Sequence, residues 1–173
     1  FFTNYGLRLK ENFFFFLKAL DVGNILHKVA EVFVKKICKN SELNVLSTAK
    51  AIVGNIISTE YVAEDNKFLL KIVEEEAVRL CERLQKELVH SHFKPIGIEE
   101  SFGKGKKYSG VSLSGGKISL EGKIDRIDVH QDRFRIIDYK TGKIEDNIKR
   151  VFYGKKIQLV TYLWAMQNSG LKP

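Results

Sequence analysis

The spacing of apolar residues changes once along this chain, at Pro95, and that change limits the folds open to it. Before Pro95 apolar residues recur every three or four positions, the repeat of helices packed on one face. After it they recur every second position, the repeat of strands with two unlike faces. Proline cannot continue a helix, so Pro95 marks the boundary. With 173 residues, 44% of them hydrophobic and 29% charged, the chain can bury a real core. One domain over 1–173 is expected, helical at 1–93, with a sheet and a final helix at 94–173.

In the helical part, Asp21 is placed to cap a helix carrying Val22, Ile25, Leu26, Val29, Ala30, Phe33, Val34 and Ile37. A second helix is predicted after Ser41, burying Leu43, Leu46, Ala49, Val53, Ile56 and Ile57. A third runs from near Asp65 to near Val89 on Leu69, Ile72, Val73, Ala77, Leu80, Leu84 and Leu88. Beyond Pro95 the alternation Ile96, Ile98, Glu100, Phe102 predicts a strand. Val111 and Leu113 should pair with Ile118 and Leu120 around Ser114-Gly115-Gly116. Gly122 to Val129 should pair with Arg133 to Tyr139 around His130, Gln131 and Asp132. Lys155 to Gln167 returns to helical spacing, with Ile157, Val160, Thr161 and Trp164 predicted inward.

Several classes are set aside. The longest apolar run, Phe13 to Leu17, is too short to span a bilayer, and its charged neighbours Lys10, Glu11 and Lys18 do not suit a signal peptide. Cys38 and Cys81 are too few for a disulfide framework or a four-cysteine metal site. Gly103-Lys104-Gly105-Lys106-Lys107 has no helix predicted after it and reads as a basic turn, not a phosphate-binding loop. His90 and His92 read as solvated loop residues. The chain begins at Phe1 without a methionine, so a piece of a larger protein is expected. A net charge of +8 fits a polyanionic partner, although many basic domains bind none.

The chemistry concentrates near Phe134-Arg135-Ile136-Ile137-Asp138-Tyr139-Lys140. Alternation puts Asp138 and Lys140 on one face, at the end of an apolar row. An unpaired buried charge is costly, so two arrangements are open. The two side chains pair with each other, or the carboxylate holds a metal while the lysine faces a phosphate or the attacking water. On the preceding strand Asp125 points away from Ile124 and lies about as far from the turn as Asp138, so the two should converge. Converging carboxylates share a proton or a cation, and magnesium takes one or two carboxylates with water and phosphate. Asp128 reads as a turn or salt-bridge residue. His27 flanks the first stripe, one turn after Gly23, and fits either packing or a ligand role; Glu31 reads as solvated. Gln158 and Tyr162 share a helix flank and can reach a phosphate or a base. Lys143, Lys149, Arg150, Lys155 and Lys156 crowd nearby, as a phosphate-binding patch or a solvated basic surface.

Gly23-x-x-x-His27, Gly122-x-Ile124-Asp125-Arg126, Asp138-Tyr139-Lys140-Thr141 and Gln158-x-x-x-Tyr162, in that order, resemble the RecB-like nucleases of the PD-(D/E)XK superfamily. The segments Tyr5 to Glu11 and Pro95 to Gly103 narrow the likeness to the AddB-type subunits of helicase–nucleases. The resemblance implies an α/β, restriction-endonuclease-like core: a mixed β-sheet flanked by helices. It implies Mg2+ or Mn2+ held by His27, Asp125, Asp138 and the Tyr139 backbone carbonyl. Asp125, Asp138 and Lys140 would be catalytic, with Lys140 acting on the attacking water and the phosphate. Gln158, Tyr162, Lys143, Lys149, Arg150 and Lys155 would contact DNA. It further implies single-stranded ends of unwound duplex as substrate, an AddA-type helicase partner, a role in double-strand-break repair, and a bacterial cytoplasmic setting. AddB-type domains carry an iron–sulfur cluster on four cysteines that neither Cys38 nor Cys81 matches. The cluster is therefore expected only in a full-length subunit, and both cysteines here are expected to be structural. The alternatives are a non-catalytic DNA-binding module of the same fold and a stand-alone RecB- or Cas4-like exonuclease.

Overall fold

In the computed structural model, which describes residues 19–60, 67–140 and 157–173, three helices pack on one another and cover one side of a sheet. They are α1 (Ala19–Ile37), α2 (Val45–Glu60) and α3 (Lys67–His90). On α1 the predicted stripe is the buried one: Ile25, Val29, Ala30, Phe33, Val34 and Ile37 are all in the core. Asp21 lies inside its first turn and is not a cap, a place where a carboxylate still meets the positive end of the helix dipole. The Asn44 carboxamide oxygen accepts from the Ser47 amide (3.0 Å) and caps α2. Leu46, in the first turn of α2, is 53% exposed, and Ile52 is buried with Ala49, Val53, Ile56 and Ile57. On α3 the buried row is Val73, Ala77, Cys81, Leu84 and Leu88, and Ile72 stays exposed. No described helix is long and apolar enough to cross a membrane.

The strands are β1 (Lys94–Phe102), β2 (Val111–Leu113), β3 (Ile118–Leu120), β4 (Gly122–His130) and β5 (Arg133–Ile137). β4 is central in an antiparallel sheet of order β1-β4-β5, and β2 and β3 form a separate hairpin. Parallel pairing enters as two isolated bridges, Phe102 with Tyr108 and Arg133 with Lys172. The turn between β2 and β3 falls on Ser114–Gly116 as predicted, with Gly115 and Gly116 at positive φ. The lysine-rich segment after Phe102 is a turn closed by the Gly103 amide donating to the Tyr108 carbonyl (3.0 Å).

A second core fills the far side of the sheet. It holds Phe102, Tyr108, Val111, Ile124, Ile127 and Phe134 together with Tyr162, Ala165 and Met166 of α4 (Gln158–Met166). The inward face predicted for this helix is not the buried one: Ile157 just before it and Val160 and Trp164 within it are exposed. The segment is apolar on nearly every side, so periodicity could not choose among its faces. Cys81 is buried in the helical core, and burial pushes its thiol up to about 12. Cys38 is exposed at the end of α1, so a packing role fits Cys81 alone.

Candidate metal and phosphate site

Strand alternation breaks at matching places on two neighbours, and the break builds the site. On β1, Gly97 faces the far core, since a Cβ there would lie 3.4 Å from Ile127 Cδ1. Ile98 packs on the helical core. Glu99 has φ +57, a left-handed conformation that L residues other than Asn and Asp rarely adopt. On β4, Ile124 and Ile127 lie in the far core, whereas Asp125 meets α1 and Arg126 meets α3. Two successive residues of each strand thus turn toward the helices. The pairs Ile98–Arg126 and Glu100–Ile124 set Glu99 opposite Asp125.

His27 of α1 completes the approach. Its Nδ1 is 3.4 Å from Asp125 Oδ2, and its ring meets the Tyr139 ring edge-on at 6.0 Å. One donor atom from each of His27, Glu99 and Asp125 lies within 4.8 Å of the other two. The Tyr139 amide donates to Asp125 Oδ2 (2.8 Å). Continuing the Arg126–Ile137 register by one step would put Asp138 next to Asp125 along the strands, but its carboxylate is not one of the donors gathered within 4.8 Å. Burial pushes the Asp125 carboxyl above the usual range; the Tyr139 amide and His27 oppose this, while Asp138 and Glu99 add to it by repulsion. An imidazole and carboxylates crowded at a half-buried point, one of them resisting ionisation, form a donor set suited to a divalent cation.

Beside this group, Lys140 Nζ is 2.6 Å from Asp138 Oδ2 and donates to Gln158 Oε1 (3.1 Å). Gln158 Nε2 donates to the Tyr162 hydroxyl (2.7 Å), whose acidity burial lowers. The final helix is thereby tied to the lysine. Of the two arrangements open for Asp138 and Lys140, the structure shows the one in which they pair with each other. Lys143, Lys149, Arg150, Lys155 and Lys156, like the segment Tyr5 to Glu11, lie outside the described residues. Glu31 pairs with Lys35 (2.6 Å), and His90 Nδ1 lies 2.7 Å from the Lys86 carbonyl.

Behind the site a buried charge network fixes its floor. Arg126 and Asp128 are both fully buried. Asp128 accepts from Arg126 Nε and Nη2 (2.7 and 2.6 Å) and from Arg135 Nε and Nη2 (3.0 and 2.7 Å). Both arginines also reach Glu87 of α3, and Arg126 Nη1 donates to the Tyr139 hydroxyl (3.3 Å). Tyr139 is therefore held at its hydroxyl by the network while its amide holds Asp125. Of the two readings open for Asp128, the salt bridge is the one found, within a strand and not at a turn. Glu87, Arg135 and Glu99 were missed. Glu87 is a solvent-type residue in its helix pattern, and Glu99 falls out of phase with Ile98 and Glu100. Its one signal was being the first of two adjacent acids on a strand that pairs with the strand of Asp125.

A family model described as PD-(D/E)XK nuclease superfamily matches residues 1–173. The chain is 30% identical to the B-type ATP-dependent helicase/deoxyribonuclease subunit of Clostridium novyi (strain NT), over 99% of this chain and 17% of that protein. It is 33% identical to the subunit of the same name from Acetivibrio thermocellus, over 98% of this chain and 16% of that protein. A third such subunit, from Lysinibacillus sphaericus (strain C3-41), is 31% identical over 97% of this chain and 16% of its own length. The chain thus spans about a sixth of the relatives it matches.

Proposed function

Because the chain belongs to the PD-(D/E)XK nuclease superfamily, we propose that its converging residues form the site of a divalent-metal-dependent deoxyribonuclease. One observation carries the reading. Four sequence-distant motifs meet: His27 on Asp125, Tyr139 on Asp125, Lys140 on Asp138 and Gln158 on Lys140. His27, Asp125, Asp138 and the Tyr139 carbonyl would hold Mg2+, or Mn2+, which an imidazole ligand also suits. When bound, the ion supplies Lewis-acid polarisation of the phosphate and a more acidic water. Lys140, which pairs with Asp138 here, would donate to a phosphate oxygen where charge develops and orient the attacking water. Gln158 and Tyr162 position the strand so that the water attacks phosphorus in line. The basic residues Lys143, Lys149, Arg150 and Lys155 would add phosphate contacts.

The relatives are named as subunits of an ATP-dependent helicase/deoxyribonuclease, and with the resemblance to AddB-type subunits this extends the proposal. The substrate would be the single-stranded ends of unwound duplex, supplied by an AddA-type helicase partner in the bacterial cytoplasm during double-strand-break repair. Exonucleolytic trimming is the mode proposed. The test is cleavage of end-labelled single-stranded DNA with Mg2+ or Mn2+. Asp138→Ala and Lys140→Ala should each abolish cutting while leaving the circular dichroism of the fold unchanged. Cutting at the native rate by either variant refutes the assignment. Full DNA binding without cutting by the unaltered chain would turn the reading to a DNA-binding module.

A further inference from the structure

We infer that Glu99 is an additional ligand for the divalent cation and that Lys123 stands in for that cation when none is bound; this rests on the nuclease reading above. Glu99 adopts φ +57 within a strand, and in doing so faces Asp125 and His27 instead of continuing the alternation. Ile98 already packs on the helical core, so strict alternation after it would turn Glu99 to the other side of the sheet. Among the described residues, the Glu99 carboxylate is otherwise matched by Lys123, whose Nζ is 3.0 Å from Glu99 Oε2.

The two ends of that pair differ in exposure. The Lys123 side chain is 56% exposed and the Glu99 side chain 21%. An exposed ammonium on a long stem gains little from such a pair and leaves it readily. It is poorly suited to hold a strained strand residue in place, and well suited to neutralise a carboxylate until a stronger cation arrives. Ser101 pairs with Lys123 and Glu99 lies opposite Asp125, so the lysine reaches diagonally across the strands. Retreat of the lysine costs no core contact. When the ion enters, Glu99 exchanges the ammonium for it, and Lys123 is freed at the rim of the site, where a phosphate backbone would pass.

The experiment is calorimetric titration of Mn2+ into the metal-free 173-residue chain, with bound Mn2+ followed also by electron paramagnetic resonance. The variants are Glu99→Gln, Lys123→Gln, the double variant and Asp125→Asn. Loss of a ligating carboxylate should weaken Mn2+ binding about tenfold or more in Glu99→Gln. Lys123→Gln should tighten it by about threefold or more, since a competing charge is gone. That tightening should vanish in the double variant. Native affinity in Glu99→Gln, with binding lost in Asp125→Asn, overturns this inference and leaves the nuclease reading standing. Native affinity in Asp125→Asn as well overturns both. Equal tightening by Lys123→Gln with and without Glu99 overturns the stand-in role. Should Glu99→Gln lose its helical circular dichroism, Glu99→Asn, which tolerates the left-handed backbone, replaces it.

Discussion

Asp128→Ala should be among the most destabilising substitutions in the described fold. The carboxylate accepts four hydrogen bonds from two arginines, all between 2.6 and 3.0 Å. The loss is unequal for the two. Arg135 is 33% exposed, keeps Glu87 and lies over the Phe93 ring, so it can turn toward water. Arg126 has no exposed surface and keeps only two long contacts to Glu87 (3.4 Å each) and the Tyr139 hydroxyl. Removing one partner of a buried pair costs about 3–5 kcal/mol, chiefly through the charge left behind. At about 2 kcal/mol per molar urea, a loss of about 4 kcal/mol lowers the midpoint by about 2 M. Arg126→Met should cost less, because Asp128 keeps both bonds from Arg135. The double variant should cost less than the sum of the two. Urea unfolding followed by circular dichroism measures all three. A loss below about 1 kcal/mol for Asp128→Ala would refute the reasoning, since it would mean that Arg126 finds water or another partner at little cost.

Three further outcomes are expected. Asp125 titrates above its unfolded value, so the folded chain binds the extra proton, and metal-free stability should fall as pH rises through the interval just above the ordinary carboxylate range. Asp125→Asn should accordingly raise the metal-free melting temperature at neutral pH, and a lowered one would contradict the crowding read from the structure. Gly122→Ala should cost about 1–3 kcal/mol in urea unfolding, because its Cβ would lie 2.8 and 2.9 Å from two ring atoms of Phe102, which is buried against Tyr162. Gln158→Ala should change stability by no more than about 0.5 kcal/mol, since the residue is exposed, yet reduce strand cleavage about tenfold or more by freeing Lys140 and Tyr162. Unaltered cleavage would remove Gln158 from the proposed site.

Period and turn chemistry carried much of the architecture. The α1 stripe, the extent of α3 and both hairpins are where spacing put them, because each rests on a single apolar face or a short polar turn. The neighbouring strand positions of Asp125 and Asp138 were legible for the same reason: they follow from counting back from one turn. Three things were not legible. The buried face of α4 was hidden by apolar residues on almost every side. Glu99 was hidden because the sequence does not reveal the β1–β4 register that sets it opposite Asp125, nor the break that turns it, like Ile98 before it, toward the helices. The role of Arg126, next to a site residue, was hidden, since nothing local reveals that Glu87, thirty-nine positions earlier, and Asp128 with Arg135 complete its network.

The ligand atoms that meet at Asp125 come from α1, β1 and β4. No two of the His27, Glu99 and Asp125 donors are sequence neighbours, so the unfolded chain has no means of gathering them into a chelate. Whatever divalent cation the cluster accepts is thus a ligand of the native state alone, and its binding energy adds to folding through mass action. At about a hundred times its dissociation constant such an ion would contribute about 2.7 kcal/mol. The melting temperature of this chain should then report the free cation concentration, even in a variant that can no longer cut.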